Sequence, residues 1–391
     1  MKFFMNGVGV LPDIEIELDG FTVISGLNGS GKSTILKAIY SILDSSSEFD
    51  KKKRFEIEET VLNLVWKYDE DEDLFTPNKT GFSITDTIEI LTNSDKLTNN
   101  EKEIIDYVKK LADGNLDDEF HKTILGRIIK SEFGKLSQFK FNGSDSNSTV
   151  ELTYLGKKRT LTVSYNDLSW DGEYKDLPSV VYYDTPFIID DSIRSRLSHR
   201  KSIGSKLYNK ENSGIVNEII ADKRLEEYDR CIEKILPGKI QFIERSFNYI
   251  QPDKKMIDVK NLAAGMKVFA IIRKLIENGA ITSDSVVLLD EPEVHLHPQW
   301  QLILGESLVI LSKSVGCKIL MTTHSPLLLR SIQLYSKMHE QSVHYYCIDV
   351  KSDDVNNQSK LFHDLGSNPE FAYSSMADAF DRVEDLFQRY E

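Results

Sequence analysis

The chain has few cysteines and no long apolar run. Its three cysteines, Cys231, Cys317 and Cys347, lie far apart among 391 residues and form no closely spaced pair. They therefore indicate buried thiols in a reducing compartment rather than disulfides or a metal site. No apolar run approaches the roughly 20 residues needed to cross a bilayer, and the N-terminus lacks the apolar core and cleavage site of a signal peptide. These absences predict a cytoplasmic protein with no membrane contact.

Basic residues are scarce relative to acidic ones. The chain has 48 lysines and arginines against 62 aspartates and glutamates, which gives a formal net charge of −14. This balance argues against a surface that is basic all over, as in proteins that coat nucleic acid, but it allows one local basic groove. With 40% hydrophobic residues, the chain can form a sizeable core. Its length fits two or three domain-sized units, or one domain with a long insertion.

Hydrophobic periodicity predicts strands and helices along most of the chain. We predict strands at residues 13–19, 21–25, 179–184, 285–290 and 318–323, and two strands within 148–165. We predict helices at 33–43, 266–275 and 299–311, and helical segments within 88–136 and 214–236. The polar residues 45–54 predict an exposed loop.

Buried apolar strands that alternate with helices indicate a mostly parallel sheet. They occur near both ends of the chain, so we expect the two ends to build one α/β domain. The predicted organisation is an N-terminal lobe at 1–45, an insertion of helical and antiparallel β elements at 46–250, and a C-terminal lobe at 251–391.

A glycine-rich loop follows the second predicted strand. Residues 26–33 read Gly-Leu-Asn-Gly-Ser-Gly-Lys-Ser and lie between a strand and a helix, as in phosphate-binding loops. Glycines let the backbone N–H groups wrap a phosphate chain, and the helix directs the positive end of its dipole toward it. Lys32 would reach the β- and γ-phosphates of ATP, and the Ser33 hydroxyl would bind Mg²⁺. The predicted nucleotide contacts are Asn28, Gly29, Ser30, Gly31, Lys32, Ser33 and Thr34.

Two acids and a histidine follow the buried strands predicted near the C-terminus. Asp290 ends the apolar run Val-Val-Leu-Leu, and Glu291 comes next. An acid at the end of a strand beside the phosphate-binding loop can hold Mg²⁺, and a second acid can polarise the attacking water. His324 follows the next buried strand, where it can contact the γ-phosphate. We therefore predict Asp290 and Ser33 as metal ligands, and Glu291, Lys32 and His324 as catalytic residues.

Three segments together resemble the ABC-type ATPases of the SMC, RecF and OLD group. They are the phosphate-binding loop, Asp-Glu-Pro-Glu-Val-His-Leu-His-Pro at 290–298 and Thr-His-Ser-Pro at 323–326. The resemblance is strongest to the stand-alone ATPases of bacterial phage-defence operons, as in the Septu, PARIS and retron systems. It covers the first 45 residues and residues 255–335. It implies an α/β fold, an ABC-type P-loop ATPase head with a mostly parallel central sheet, an antiparallel β element and a helical insertion.

The resemblance also implies a homodimer with composite ATP sites, in which a signature loop of one subunit contacts the γ-phosphate bound by the other. The matching segment is Asn261–Lys267, which keeps Leu262 and Gly265. The trans contact therefore falls to Ala263 and Gly265. Ala263 replaces the serine of the family pattern, so the hydroxyl is lost, while Met266 replaces Gln or Glu.

Two further features of that family are implied. The loop with His295 and His297 would lie at the dimer seam, with Glu293 bonding across it, although two histidines at this spacing could also form a metal pair. A Q-loop would couple the nucleotide to the insertion. Gln138 and the turn after residues 180–184 are both candidates for it.

The segment Arg194–Lys210 carries six lysines or arginines and no acid. Three interpretations stay open: a solvated face, a contact with nucleic acid or an acidic partner, or an arm that reaches the phosphates bound by the other subunit. A contact with nucleic acid would use Arg194, Arg196, Arg200 and Lys201.

The sequence chemistry predicts ATP hydrolysis with Mg²⁺, and the resemblance implies a role in phage defence. The stretch after His324 is too short for the metal-binding nuclease domain of OLD proteins, so we expect a separate effector, a nuclease or a toxin. This ATPase would act as its sensor, clamp or scaffold. The alternatives are a RecF-like DNA-repair clamp and a regulatory scaffold that holds ATP with very slow turnover. The ATP-driving subunit of a transporter fits least.

Overall fold

The computed structural model describes residues 1–68, 88, 98–140, 147–191, 198–209, 225–243, 246–352 and 358–390. The strands are β1 (Lys2–Asn6), β2 (Ile14–Glu17), β3 (Phe21–Gly26), β4 (Ser148–Tyr154), β5 (Lys157–Val163), β6 (Leu168–Asp171), β7 (Ser179–Tyr183), β8 (Lys239–Ile243), β9 (Ser246–Ile250), β10 (Met256–Asp258), β11 (Ser285–Asp290), β12 (Lys318–Thr323), β13 (Val343–Ser352) and β14 (Gln358–Gly366). The helices are α1 (Lys32–Ser46), α2 (Phe49–Tyr68), α3 (Asn99–Ala112), α4 (Asp117–Phe133), α5 (Leu136–Phe139), α6 (Ile188–Asp191), α7 (Ser198–Tyr208), α8 (Ala264–Glu277), α9 (Pro298–Val315), α10 (Pro326–Met338) and α11 (Glu370–Tyr390). Residues 225–232 are also helical.

The central sheet has the strand order β14-β13-β3-β12-β11-β7. All neighbouring strands in it run parallel except β13 and β14. Both faces of the sheet are covered: in β11, Val287 and Leu289 belong to one core cluster, and Val286 and Leu288 to the other. This is why the sequence shows unbroken apolar runs here instead of an alternating pattern. The predicted mostly parallel sheet is confirmed.

A second sheet is antiparallel, in the order β2-β1-β4-β5-β6, and a third contains β10-β9-β8. In the second sheet β1 lies between β2 and β4, so the N-terminal strands pair with strands from 148–171. In the central sheet β7 pairs with β11. The segment 46–250 thus supplies strands to the sheets of both predicted lobes as well as helices between them.

The predicted exposed loop at 45–54 was wrong. Helix α1 continues to Ser46, α2 begins at Phe49, and Ser45 is fully buried. The Ser45 hydroxyl donates to the Ile42 carbonyl and lies 3.1 Å from Nε2 of His121 on α4. A hydroxyl whose hydrogen bonds are satisfied in this way can be buried at little cost. Polar composition therefore misled the prediction because the partner on α4 is remote in sequence.

Among the cysteines, Cys317 and Cys347 are buried as predicted, whereas Cys231 is only half-buried. Within the described residues, no helix has the length and apolar character that a membrane span requires.

Candidate functional site

Three neighbouring strands deliver the predicted site residues to one edge of the central sheet. Strand β12 lies between β3 and β11 and is parallel to both. Their carboxyl ends therefore meet, which is where α/β sheets bind ligands. The phosphate-binding loop follows β3, Asp290 ends β11, and His324 comes directly after β12. The parallel arrangement is what brings together residues almost 300 positions apart.

The backbone of the phosphate-binding loop needs its glycines. Gly26 has φ 151°, and a Cβ there would lie 2.7 Å from the carbonyl oxygen of Ile348 on β13. Gly31 has φ 110°, and a Cβ would lie 2.5 Å from Leu11. Gly29 has φ 75°, with no atom within 4 Å of its Cβ position. Positive φ angles are available to glycine without strain, so the loop can curve closely while its tip stays open.

Lys32 is almost completely buried, with 3% of its side chain exposed. Its ammonium group donates to the carbonyl oxygens of Gly26 at 2.8 Å and Leu27 at 3.0 Å, and it lies 3.2 Å from a carboxylate oxygen of Glu291. These protein oxygens compensate the buried positive charge of Lys32 in place of the phosphate oxygens that we predict it to bind. To bind a phosphate as predicted, Lys32 would have to give up at least one of these contacts.

Asp290 is held by two neutral donors. The Thr322 hydroxyl donates to Oδ1 at 2.6 Å, and the Tyr182 hydroxyl donates to Oδ2 at 3.2 Å. A carboxylate offers about four lone-pair positions, so acceptor capacity remains for a hard cation or its water. Ser33 and Asp290 line the same pocket. This donor set fits Mg²⁺, which takes oxygen ligands and keeps several waters.

Glu291 forms a chain of charges with Lys32 and His324. One carboxylate oxygen lies 3.2 Å from Lys32 and the other lies 3.2 Å from Nδ1 of His324. The His324 contact, with help from Lys32, lowers the pKa of Glu291 despite partial burial. The same contact with Glu291 raises the pKa of His324, although burial opposes it. The two predicted catalytic residues thus favour each other's charged forms.

Glu293 is a second acid beside His324: its Oε1 lies 3.7 Å from Nδ1 of His324, and 3% of its side chain is exposed. Its Oε1 accepts from the Thr323 hydroxyl at 2.6 Å and from the His324 backbone N–H at 3.1 Å, and burial raises its pKa. Glu293 therefore orients the His324 backbone within its own subunit. The proposed bond across a dimer seam would need its buried carboxylate to turn outward.

Most of the predicted site residues line a pocket of about 540 Å³, whereas Ser30, Ala263, Gly265 and His324 are not part of its wall. Its walls are the phosphate-binding loop, Val10, the acids at 290–291, the turn 183–186, and the segment with Val294 and His295. Of the two Q-loop candidates, the turn after β7 lies in this wall, and Gln138 does not line it. Sequence reasoning missed Tyr182 and left Asp184 without a role. The signal for Asp184 was present, since it follows an apolar strand just as Asp290 does.

The predicted signature loop precedes α8 and divides into an exposed and a buried part. Ala263 is exposed at the N-cap of α8. Gly265 is buried, and a Cβ there would lie 2.9 Å from side-chain atoms of both Leu296 and Trp300. Of the two predicted trans contacts, only Ala263 presents its side chain to solvent. Gly265 instead lets α8 pack closely against the segment that follows β11.

The two histidines after Glu293 have different surroundings. His295 has φ 74° and lines the pocket, where its ring contacts that of Phe187 at 5.6 Å between centroids. His297 caps α9, since its Nδ1 accepts from the backbone N–H of Gln299 at 3.3 Å. The alternative of a metal pair finds no support in these separate contacts.

The basic segment is described only in part, because Arg194 and Arg196 lie outside the described residues. Lys201 is exposed. Arg200 donates to both carboxylate oxygens of Asp184, at 3.0 Å from Nε. The Arg200 guanidinium, which a contact with nucleic acid would use, is therefore already paired inside the subunit.

Comparisons with known proteins show the family to which the chain belongs. The family described as “AAA domain, putative AbiEii toxin, Type IV TA system” matches residues 21–330. The chain is 25% identical over 368 residues to the “Retron Vc95 probable ATPase” of Vibrio cholerae serotype O1 biovar El Tor, covering 80% of this chain and 67% of that protein. It is similar to the SMC head domain from Thermotoga maritima, at 13% identity and a TM-score of 0.41 over 93% of this chain and 98% of that one. It is also similar to an SMC head bound to the C-winged helix domain of ScpA, at 13% identity and a TM-score of 0.46 over 93% and 97%.

Proposed function

Because the chain belongs to the family described as “AAA domain, putative AbiEii toxin, Type IV TA system” and is an ATPase of the AAA/ABC type, we propose that it is a nucleotide-gated homodimer that hydrolyses ATP at two composite sites. The observation that supports this most directly is the Lys32–Glu291–His324 chain of charges, in which Lys32 and Glu291 line the same pocket as Ser33 and Asp290. These groups are what phosphoryl transfer to water requires.

Each residue has a separate task in this scheme. The amides of the phosphate-binding loop and Lys32 bind the β- and γ-phosphates. Glu291 orients the attacking water, and His324 contacts the γ-phosphate. Ser33 and Asp290 hold Mg²⁺, which when bound neutralises charge on the phosphate oxygens. Because Lys32 is shared between the loop carbonyls and Glu291, phosphate binding draws its cation away and leaves Glu291 a stronger base.

The proposed dimer is supported by residues that one subunit leaves exposed around the pocket. The tip of the loop is exposed at Asn28 and Gly29, and Val294 is exposed in the wall of the same pocket. The N-terminal end of α8, with Ala263, offers free amide groups that can meet a phosphate. We propose that Ala263 of one copy closes over the γ-phosphate bound by the other.

A role in phage defence, with a separate nuclease or toxin as effector, is the extension we favour. Its support is the similarity to a protein named as the ATPase of a retron, together with the family description. In this scheme the closed, ATP-bound dimer holds or releases the effector.

The test is the variant Glu291→Gln. It keeps Lys32, Ser33 and Asp290, so ATP still binds, whereas loss of a positioned base lowers turnover by about 10²–10⁴-fold. The closed dimer should then accumulate with ATP and Mg²⁺, seen as a heavier species in light scattering and as nucleotide retained through gel filtration. Turnover at the wild-type rate would remove Glu291 from the mechanism.

The dimer arm of the test combines Glu291→Gln with Ala263→Arg. An exposed arginine at the α8 N-terminus should abolish trapping without disturbing the subunit. Tyr165→Arg is the matched control, because Tyr165 is 68% exposed in the turn between β5 and β6, outside the pocket wall. Trapping that survives Ala263→Arg as well as it survives Tyr165→Arg would show that Ala263 is not at the interface.

A further inference from the structure

His199 on α7 is fully buried, and the catalytic scheme does not use it. Its Nδ1 lies 2.6 Å from a carboxylate oxygen of Glu132 on α4, and its Nε2 lies 3.1 Å from one of Asp184. The Glu132 side chain is also fully buried. Burial alone would lower the pKa of His199, but the contacts with both carboxylates outweigh it and raise the pKa. A single imidazole thus bridges two acids, one on each side.

On one side, this bridge fastens α7 to α4. The Ser131 hydroxyl accepts from the backbone N–H of Ser198 at 2.7 Å, and Glu132 accepts from the backbone N–H of His199 at 3.1 Å. The first N–H groups of a helix have no partner within the helix. Two residues of α4 provide partners here, so the start of α7 is fixed to the end of α4.

On the other side, the bridge reaches the nucleotide pocket. Asp184 opens the turn 184–186 in the pocket wall, and both His199 and Arg200 hold its carboxylate. These contacts lower the pKa of Asp184 although burial would raise it. In addition, the His199 ring lies 4.3 Å from that of Tyr182, whose hydroxyl donates to Asp290. The imidazole therefore contacts Asp184 in the pocket wall and Tyr182, which donates to the predicted metal ligand Asp290.

We infer that His199 is a positioning residue, which ties α4 of the helical insertion to the pocket wall and thereby sets the rate of ATP hydrolysis. Displacement of α4, for example by whatever the insertion detects, would move the turn 184–186 and Tyr182 together. The contacts run without a gap from Glu132 through His199 to Asp184, and hydrogen-bonded and packed networks of this kind can carry energetic coupling between sites. The inference rests on the proposed function and names the regulation of that same site.

The test is His199→Gln, measured by steady-state hydrolysis and by calorimetric ATP binding in EDTA. The Mg²⁺ side of the pocket should lose its geometry, so kcat should fall about 10- to 100-fold, as small misplacements of catalytic groups do. The phosphates are bound by the loop amides and Lys32, so the Kd of ATP without Mg²⁺ should change less than about threefold. A role in folding alone would not separate kcat from Kd in this way.

The matched control is His121→Gln. His121 is also fully buried and also lies on α4, but its partners are serines and burial lowers its pKa to about 4, so it is a neutral structural histidine. The His121→Gln substitution should lower the thermal stability of the protein but should not cause the loss of kcat by about 10- to 100-fold that we expect for His199→Gln. A kcat for His199→Gln within about threefold of that for His121→Gln would overturn the inference.

If the His199→Gln variant does not fold, the Asp184→Asn variant tests the inference instead. This substitution keeps the shape of the side chain and removes the negative charge that His199 contacts. The same selective loss of kcat supports the inference, and an unchanged kcat overturns it. The proposed function fails separately, if the wild-type chain does not hydrolyse ATP or if Glu291→Gln hydrolyses it at the wild-type rate. Normal wild-type turnover with an unaffected Asp184→Asn variant would refute the coupling alone.

Discussion

The substitution Lys32→Ala tests the role of Lys32 in the phosphate-binding loop both without and with bound nucleotide. Without nucleotide, the buried ammonium satisfies the carbonyls of Gly26 and Leu27 and pairs with Glu291. Removing it leaves these oxygens without their donor, which should lower the free energy of unfolding by about 1–3 kcal/mol. With nucleotide, loss of one partner of a desolvated charge pair costs about 2–5 kcal/mol. That corresponds to ATP binding weaker by about 30- to 5,000-fold.

The assay is isothermal calorimetry with ATP and Mg²⁺, alongside urea unfolding without nucleotide. Lys360→Ala is the matched control: Lys360 on β14 donates to the Gly29 carbonyl at 3.0 Å, so it contacts the same loop from outside the pocket wall. It should change the Kd by no more than about threefold, since it is one partly exposed hydrogen bond. Wild-type ATP affinity in the Lys32 variant would refute the assignment of the loop. Equal effects from both lysines would show that loop rigidity, and not the Lys32 charge, determines binding.

Two further predictions concern the signature loop and the catalytic pair. Gly265→Ala should lower the free energy of urea unfolding by about 1–3 kcal/mol, because its Cβ would meet Trp300 at 2.9 Å in a packed interior; an unchanged value would mean that the ring moves aside. The Glu291–His324 pair should contribute less than about 1 kcal/mol, because both groups are partly exposed. Its contribution should be largest between the usual pKa values of 4.5 for glutamate and 6.5 for histidine. It should fade as pH rises through the raised pKa of His324 or falls through the lowered pKa of Glu291. Unfolding of wild type and His324→Gln from pH 4 to 9 measures this, and a difference that does not vary with pH would contradict it.

The site residues that could be located from the sequence are those whose surroundings are set by nearby residues of the chain. The phosphate-binding loop is contiguous, and its glycines, lysine and serine act through their own backbone neighbourhood. Asp290 and His324 could be placed because each follows an apolar strand, and parallel strands align their carboxyl ends. The exposed loop predicted at 45–54 failed for the opposite reason, since burial of Ser45 depends on His121. The burial of Gly265 could not be predicted from the sequence for the same reason, because Trp300 packs against it from another helix.

Asp184 and Asp290 illustrate what could not be predicted from the sequence alone. Strands β7 and β11 are parallel neighbours in register, Ser179 opposite Ser285, and each is followed or ended by an aspartate at the same edge of the sheet. The strand pattern alone does not separate the two acids; the sequence favours Asp290 through the Glu291 that follows it and through the family resemblance of residues 290–298. The structure separates them: neutral hydroxyls hold Asp290 and leave acceptor capacity toward the pocket, whereas Arg200 and His199 occupy Asp184. The groups that pair with Asp184 come from α7, whose first turn is hydrogen-bonded to α4, so neither strand by itself encodes that pairing. If this pairing keeps Asp184 from binding a metal ion, removing one partner by Arg200→Ala should add no Mg²⁺ site at Asp184 while His199 still contacts it. A second site in calorimetric Mg²⁺ titration of Arg200→Ala would show that the arginine alone keeps Asp184 from the metal.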